Sequence, residues 1–186
     1  MIIVEGPDLV GKTTLAKYLE SAIANEMGTG HVYQHLSKLP AGFDFISGHL
    51  ALVNERSVWD RFHMSELVYS QALRGGISMH LEEYAFMDCA VRMSKGLVVL
   101  LTGSEELIRE RHSQRDDHMF TLEQILQVNE IYIEIADGLH DYNPHWDIHY
   151  HVSTEGISFD DCLDRIFEAY WTRWRIQEGT YCEPQT

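Results

Sequence analysis

Short, unbroken apolar runs alternate along this chain with longer stretches whose apolar positions recur at helical spacing. Met1–Val4, His31–His35, Ser57–Trp59, Leu97–Thr102 and Ile148–Val152 read as strands, and the fourth is the clearest because its apolar run stops at Thr102-Gly103-Ser104. Helices are predicted over 12–26 (Leu15, Ala16, Tyr18, Leu19, Ile23), 46–54, 64–73, 81–94, from Ser104 onward, over 121–137 and over 159–174. Ser104 can cap its helix, with Glu105 and Glu106 in the first turn where the helix dipole favours acids, and Thr121 can cap the next. Gly28-Thr29-Gly30 and Gly75-Gly76 read as turns, residues 37–45 as loop and residues 177–186 as a frayed tail. Strand alternating with helix predicts an α/β protein: a parallel sheet of about five strands covered by helices. No internal repeat, low-complexity tract or linker divides it, so residues 1–186 are read as one domain.

The first strand leads into Gly6-Pro7-Asp8-Leu9-Val10-Gly11-Lys12-Thr13, which spells G-x-x-x-x-G-K-[ST] between a strand and a helix. In that context the loop amides converge on nucleotide phosphates, with Lys12 reaching the β and γ oxygens and the Thr13 hydroxyl holding Mg²⁺. Gly6 through Thr14 are therefore the candidate ATP-binding residues, and a three-layer P-loop NTPase or nucleotide-kinase fold is expected.

Composition narrows the partners. The net charge of −15 makes the surface as a whole repel nucleic acid and anionic lipid. No apolar run approaches the length of a membrane span. The three cysteines lie far apart without C-x-x-C spacing, and the first strand starts at Met1, so a reduced, cytoplasmic protein without a leader is expected. The eleven histidines include no H-E-x-x-H motif and are read as single solvated or hydrogen-bonded side chains.

With 14 Lys and Arg in the chain, placed arginines carry weight. Asp60 and Arg61 end the third strand, where ligands of such sheets gather. A carboxylate there can hold Mg²⁺ through water, and a guanidinium can fork onto an acceptor phosphate. Arg109, Arg111 and Arg115 follow the clearest strand. Their spacing keeps all three from one helical face; Arg115 and then Arg111 are the candidates for a mobile lid over residues 109–120.

Asp60-Arg61-Phe62-His63-Met64-Ser65-Glu66-Leu67-Val68-Tyr69 resembles the D-R-[YHF]-x-x-S-x-x-x-Y signature of thymidylate kinases. Glu5 through Thr14 resemble that family's E-G-x-D-G-x-G-K-T-T loop, and Val128 through Ala136 its V-x-x-x-Y-x-x-x-A helix. The resemblance implies transfer of the ATP γ-phosphoryl group to a deoxynucleoside monophosphate, dTMP or a related or modified one, with Mg²⁺ as the cofactor. It implies Lys12, Arg61, Arg111 and Arg115 as catalytic cations. Asp8 would face the acceptor sugar, Arg61 would hold its phosphate, Phe62, Ser65 and Tyr69 would complete the acceptor pocket, and Thr13 and Asp60 would hold the metal. A homodimer is a further implication. A phosphate acceptor is already ionised near neutral pH, so no general base is required.

The chain departs from that family at three points. Leu9 replaces the second loop glycine, a change that fits a residue keeping φ below zero. The family's T-R-E-P segment has no counterpart in His31–Pro40, which concentrates acceptor-phosphate binding on Arg61. Ser70 stands where the family carries Gln. The alternative is a deoxynucleoside kinase with a hydroxyl acceptor, because Glu55-Arg56-Ser57-Val58-Trp59 resembles that group's E-R-S-x-[YW] segment. That chemistry needs a carboxylate base near the end of the second strand, and residues 31–40 contain no Asp or Glu. A P-loop switch protein is a third reading; the chain has no N-K-x-D motif.

Overall fold

The computed structural model describes residues 1–27, 32–36, 44–54, 56–76, 79–116, 119–140 and 149–177. Five strands form one parallel sheet: β1 (Ile2–Glu5), β2 (Val32–His35), β3 (Ser57–Asp60), β4 (Leu97–Thr102) and β5 (His149–Ser153), in the order β2-β3-β1-β4-β5. Parallel strands buried on both faces explain the continuous apolar runs of β1 and β4. The helices are α1 (Lys12–Met27), α2 (Phe45–Leu50), α3 (His63–Leu73), α4 (Leu81–Met93), α5 (Glu105–Ser113), α6 (Leu122–His140) and α7 (Phe159–Gln177).

Alternate side chains of each strand serve opposite layers. Ile2, Val4, Val58, Val99 and Leu101 pack on Leu15, Leu19 and Ile23 of α1, Ile108 of α5 and Ile166 and Tyr170 of α7. Ile3, Trp59, Val98 and Leu100 face the other way, onto Met64 and Val68 of α3, Met87 and Val91 of α4 and Val128, Tyr132 and Ala136 of α6. This is the three-layer arrangement expected from the alternation of strands and helices.

Element boundaries shift modestly from expectation. α2 is shorter than 46–54, because Asp44 caps it at Ser47 N and Ala51 ends it. α6 runs three residues past 137 and α7 three past 174. Ser104 Oγ accepts from Leu107 N at the start of α5, and Thr121 Oγ1 from Gln124 N at the start of α6. The first turn at 28–30, most of the 37–45 loop, part of the proposed lid (117–118) and the tail beyond 177 lie outside the described residues.

β1 lies between β3 and β4, with Val4 in register with Asp60 and Glu5 with Leu100. The chain leaves β1 toward β2 and β3 on one side and later toward β4 and β5 on the other. The crevice of such a sheet opens at the carboxyl ends of the strands where that divergence occurs, beyond Glu5 and Asp60.

Candidate functional site

The glycine loop owes its path to two backbone positions. Gly6 has φ +146°, and a Cβ there would lie 2.3 Å from the Leu101 carbonyl oxygen, so the loop can cross β4 only without a side chain. Gly11 has φ +98°, and its carbonyl accepts from Leu15 N at 3.0 Å to open α1. Leu9 differs from expectation. Its φ is +74°, in the left-handed region rather than below zero. The conformation costs about 1–2 kcal/mol in a non-glycine residue. Burying the leucine side chain in the core under α1 offsets this with roughly 1.5–3 kcal/mol. Arg111 of α5 also secures this corner, its Nη1 donating to the Leu9 carbonyl at 2.6 Å.

Lys12 is almost fully buried at the start of α1. Its Nζ donates to the Pro7 carbonyl and stands 3.8 Å from Asp8 Oδ1. Burial, reinforced by the Arg61 cation, lowers its pKa to about 8 from an ordinary 10.5. Beside it, the Thr13 hydroxyl donates to Asp60 Oδ2 at 2.5 Å. That same oxygen lies 3.3 Å from the Tyr33 hydroxyl and 3.1 Å from His35 Nδ1. The other oxygen, Asp60 Oδ1, is buried and has no hydrogen-bond partner among the described residues. A hydroxyl and a carboxylate with one unsatisfied oxygen form a hard, oxygen-only donor set, which fits Mg²⁺. Among the described residues no three His, Cys, Asp or Glu side chains gather as a larger metal site would require.

Arg61 turns the chain at the end of β3 with φ +73°, its N–H donating to the Val4 carbonyl at 3.0 Å. Its Nη2 donates to Asp8 Oδ1, and its guanidinium lies 4.7 Å from the centre of the Tyr69 ring. The Tyr69 hydroxyl points at Asp8 Oδ2 at 3.4 Å. Burial alone would weaken the Arg61 cation, but Tyr69 and Asp8 beside it keep it firmly protonated. Asp8 is likewise raised by burial, and Lys12 and Arg61 more than reverse this, leaving it below the usual carboxylate value. Burial pushes the Tyr69 phenol up.

The structure therefore brings Asp8, Lys12, Thr13, Asp60, Arg61 and Tyr69 to one crevice, with Arg111 over the loop. Other sequence-derived candidates are placed elsewhere. Phe62 is fully buried, its ring against His49, Trp59 and His63 at 4.8–5.6 Å, so it is core behind the crevice and not an acceptor-facing surface. Ser65 is buried too, its hydroxyl donating to Glu5 Oε2 at 2.5 Å. Arg115 is exposed past the end of α5, and Arg109 is paired with Glu105 on the solvent face, so Arg111 is the arginine of this cluster that reaches the loop. His35 and Glu5 also lie at the site on weaker sequence signals. His35 ends a weak strand and belongs to no motif. Glu5 falls inside the loop pattern, where an acid closing an apolar strand is itself a signal of a built polar contact.

A parallel five-stranded sheet between two helical layers, with a G-x-x-x-x-G-K-[ST] loop between its central strand and α1, is the three-layer α/β fold of P-loop kinases. Among solved structures the chain is similar to the YorR protein of Bacillus subtilis, crystallised in complex with phosphorylated GDP, with TM-score 0.71 and 22% identity over 93% of this chain and 97% of that one. It is also similar to a gluconokinase from Sinorhizobium meliloti 1021, with TM-score 0.50 and 18% identity over 97% of this chain and 94% of the other. No protein-family model and no curated protein matches it. Among the described residues no helix is long and apolar enough to cross a membrane.

Proposed function

We propose that this chain is a phosphotransferase that moves the γ-phosphoryl group of ATP to the phosphate of a nucleoside monophosphate, dTMP or a related or modified deoxynucleotide. The observation that carries this reading is the Arg61 corner. A partly buried guanidinium, stacked on Tyr69 and fixed by Asp8, faces the crevice across from Lys12. A cation there matches an acceptor phosphate, whose charge must be neutralised for one anion to approach another. Lys12 and the loop amides hold the donor triphosphate; Thr13 and Asp60 would hold Mg²⁺, which neutralises charge on the donor phosphates when bound. Arg111 stands near enough to the loop to reach the transferring group by releasing the Leu9 carbonyl.

A second reading has one observation in its favour. His35, half exposed at the end of β2, sets Nδ1 3.1 Å from Asp60. A hydroxyl acceptor would need a proton acceptor in that region, and this imidazole stands where the sequence offers no carboxylate. The phosphate acceptor is preferred, because a phosphate would add a second anion beside Asp8 at the partly buried Arg61 guanidinium, an interaction a hydroxyl cannot make.

Arg61→Ala separates the roles. Transfer to a nucleotide should fall about 10²-fold or more while ATP binding stays within a few-fold, read by coupled ADP release and by calorimetry. Activity within a few-fold of the wild type would remove Arg61 from the acceptor site.

A further inference from the structure

Three segments far apart in the sequence meet on one carboxylate. Glu5 closes β1 immediately before Gly6 and is fully buried. Its Oε1 accepts from the backbone N–H of Phe62 at 2.7 Å and of Ser65 at 3.3 Å. Its Oε2 accepts from the hydroxyls of Ser65 at 2.5 Å and Tyr132 at 3.0 Å. The glycine loop, the Asp60-Arg61 segment and the tyrosine of α6 are thus joined at a single point.

The join answers a local problem. Phe62 is the N-cap of α3 and has no side-chain acceptor with which to cap it. The opening amides of a helix have no partner within it, and an unpaired buried amide is costly. Glu5 supplies the cap from the neighbouring strand, with its negative charge at the positive end of the helix dipole. The residue just before this cap is Arg61, held at φ +73°. Its own N–H is bound by Val4, the residue just before Glu5. Consecutive residues of β1 therefore fix the Arg61 N–H and the Phe62 N–H, and a left-handed arginine persists where its surroundings over-determine it.

We propose that Glu5 is a positioning residue for the acceptor side of the site: by capping α3 it sets the corner from which Arg61 reaches Asp8, Tyr69 and the incoming phosphate. The proposal rests on the kinase reading above. Glu5 acts by accepting hydrogen bonds, so a near-isosteric glutamine retains the role. The Gln carbonyl takes the two amides, and its NH₂ donates to the Ser65 and Tyr132 hydroxyls, which can accept. Lys12 and Thr13 belong to α1 and keep their places without the α3 cap.

The test compares Glu5→Gln, Glu5→Asp and Glu5→Ala in the full chain. Readouts are the affinity for a non-hydrolysable ATP analogue with Mg²⁺, KM and kcat for dTMP, dGMP, dCMP and dAMP, and backbone amide exchange at Phe62 and Ser65. Glu5→Ala should raise the acceptor KM about tenfold or more, leave analogue affinity within about threefold, and expose both amides to exchange. Glu5→Gln should stay within about threefold of the wild type on every readout, whereas Glu5→Asp, too short to reach both amides, should show the acceptor defect and keeps the test intact where the alanine variant fails to fold. In an Arg61→Ala background the Glu5 substitution should add less than about twofold, as expected for residues acting through one another. An unchanged acceptor KM, equal losses on both substrates, or additivity with Arg61→Ala overturns the proposal. If the wild type turns over none of the four nucleotides, the kinase reading fails by itself. The exchange readout then decides the Glu5 corner: loss of protection at Phe62 and Ser65 with the glycine-loop amides intact upholds it, and unchanged protection overturns it.

Discussion

At the scale of single residues, the site is a set of cations held beside the oxygens of the glycine loop. Lys12 donates to the Pro7 carbonyl, Arg61 to Asp8 and Arg111 to the Leu9 carbonyl. Lys12 has a consequence that can be measured. Its pKa of about 8 lies below the ordinary 10.5, so the folded protein disfavours the charged lysine. Between those two values the unfolded chain holds a proton the folded chain has released, and Lys12 therefore makes stability rise with pH across that window. Nucleotide binding has the opposite sign, because the triphosphate demands the charged form. Affinity for Mg²⁺-ATP should fall as pH rises above about 8, by up to about tenfold per unit. Calorimetry near pH 9 in buffers of different ionisation enthalpy should record uptake of close to one proton, roughly, as the lysine recharges. No uptake there would mean that Lys12 is already charged in the empty site or is not a ligand of the phosphates.

At the scale of elements, β1, its loop and α1 were legible because three independent signals agreed: a buried apolar run, a glycine pattern and helical spacing. Asp60 and Arg61 were legible for the same reason, as polar residues abruptly ending a buried strand. What escaped the sequence depended on contacts between distant segments. The positive φ of Leu9 could not be read from leucine, since the core that offsets it is assembled by α1 and its neighbours. The burial of Phe62 and Ser65 follows from how α3 meets α6 and the end of β1, which no local pattern records. Sequence position favours Arg115 over Arg111, but α5 ends at Ser113 and leaves Arg115 exposed, a boundary that no local pattern records. Gly6 gives this scale its test. A methyl group there would meet the Leu101 carbonyl at 2.3 Å, and backbone cannot swing aside as a side chain can. Gly6→Ala should cost at least about 2–3 kcal/mol in chemical denaturation and abolish ATP binding. A wild-type midpoint and affinity would show that the loop does not cross β4 as described.

At the scale of the whole molecule, a chain of net charge −15 is read as binding two anionic substrates. The sheet order resolves the apparent conflict. Divergence of the chain on either side of β1 opens one crevice at the carboxyl ends of β1 and β3, and Lys12, Arg61 and Arg111 are brought there from three separate elements. Local cations in a partly buried crevice act over short distances, whereas the surface charge is screened within about 8 Å at physiological salt. The same surface disfavours long polyanions, which would have to run beyond the crevice. The central claim is that the group receiving the phosphoryl is itself a phosphate. It is tested most directly by incubating the wild-type protein with γ-labelled ATP and Mg²⁺, offering deoxynucleoside monophosphates, the matching nucleosides, or no acceptor, and separating the products. The account predicts label in a nucleoside diphosphate, formed from a monophosphate and absent with the nucleosides. Label appearing in a monophosphate made from a nucleoside, or in inorganic phosphate alone whatever is offered, would contradict it.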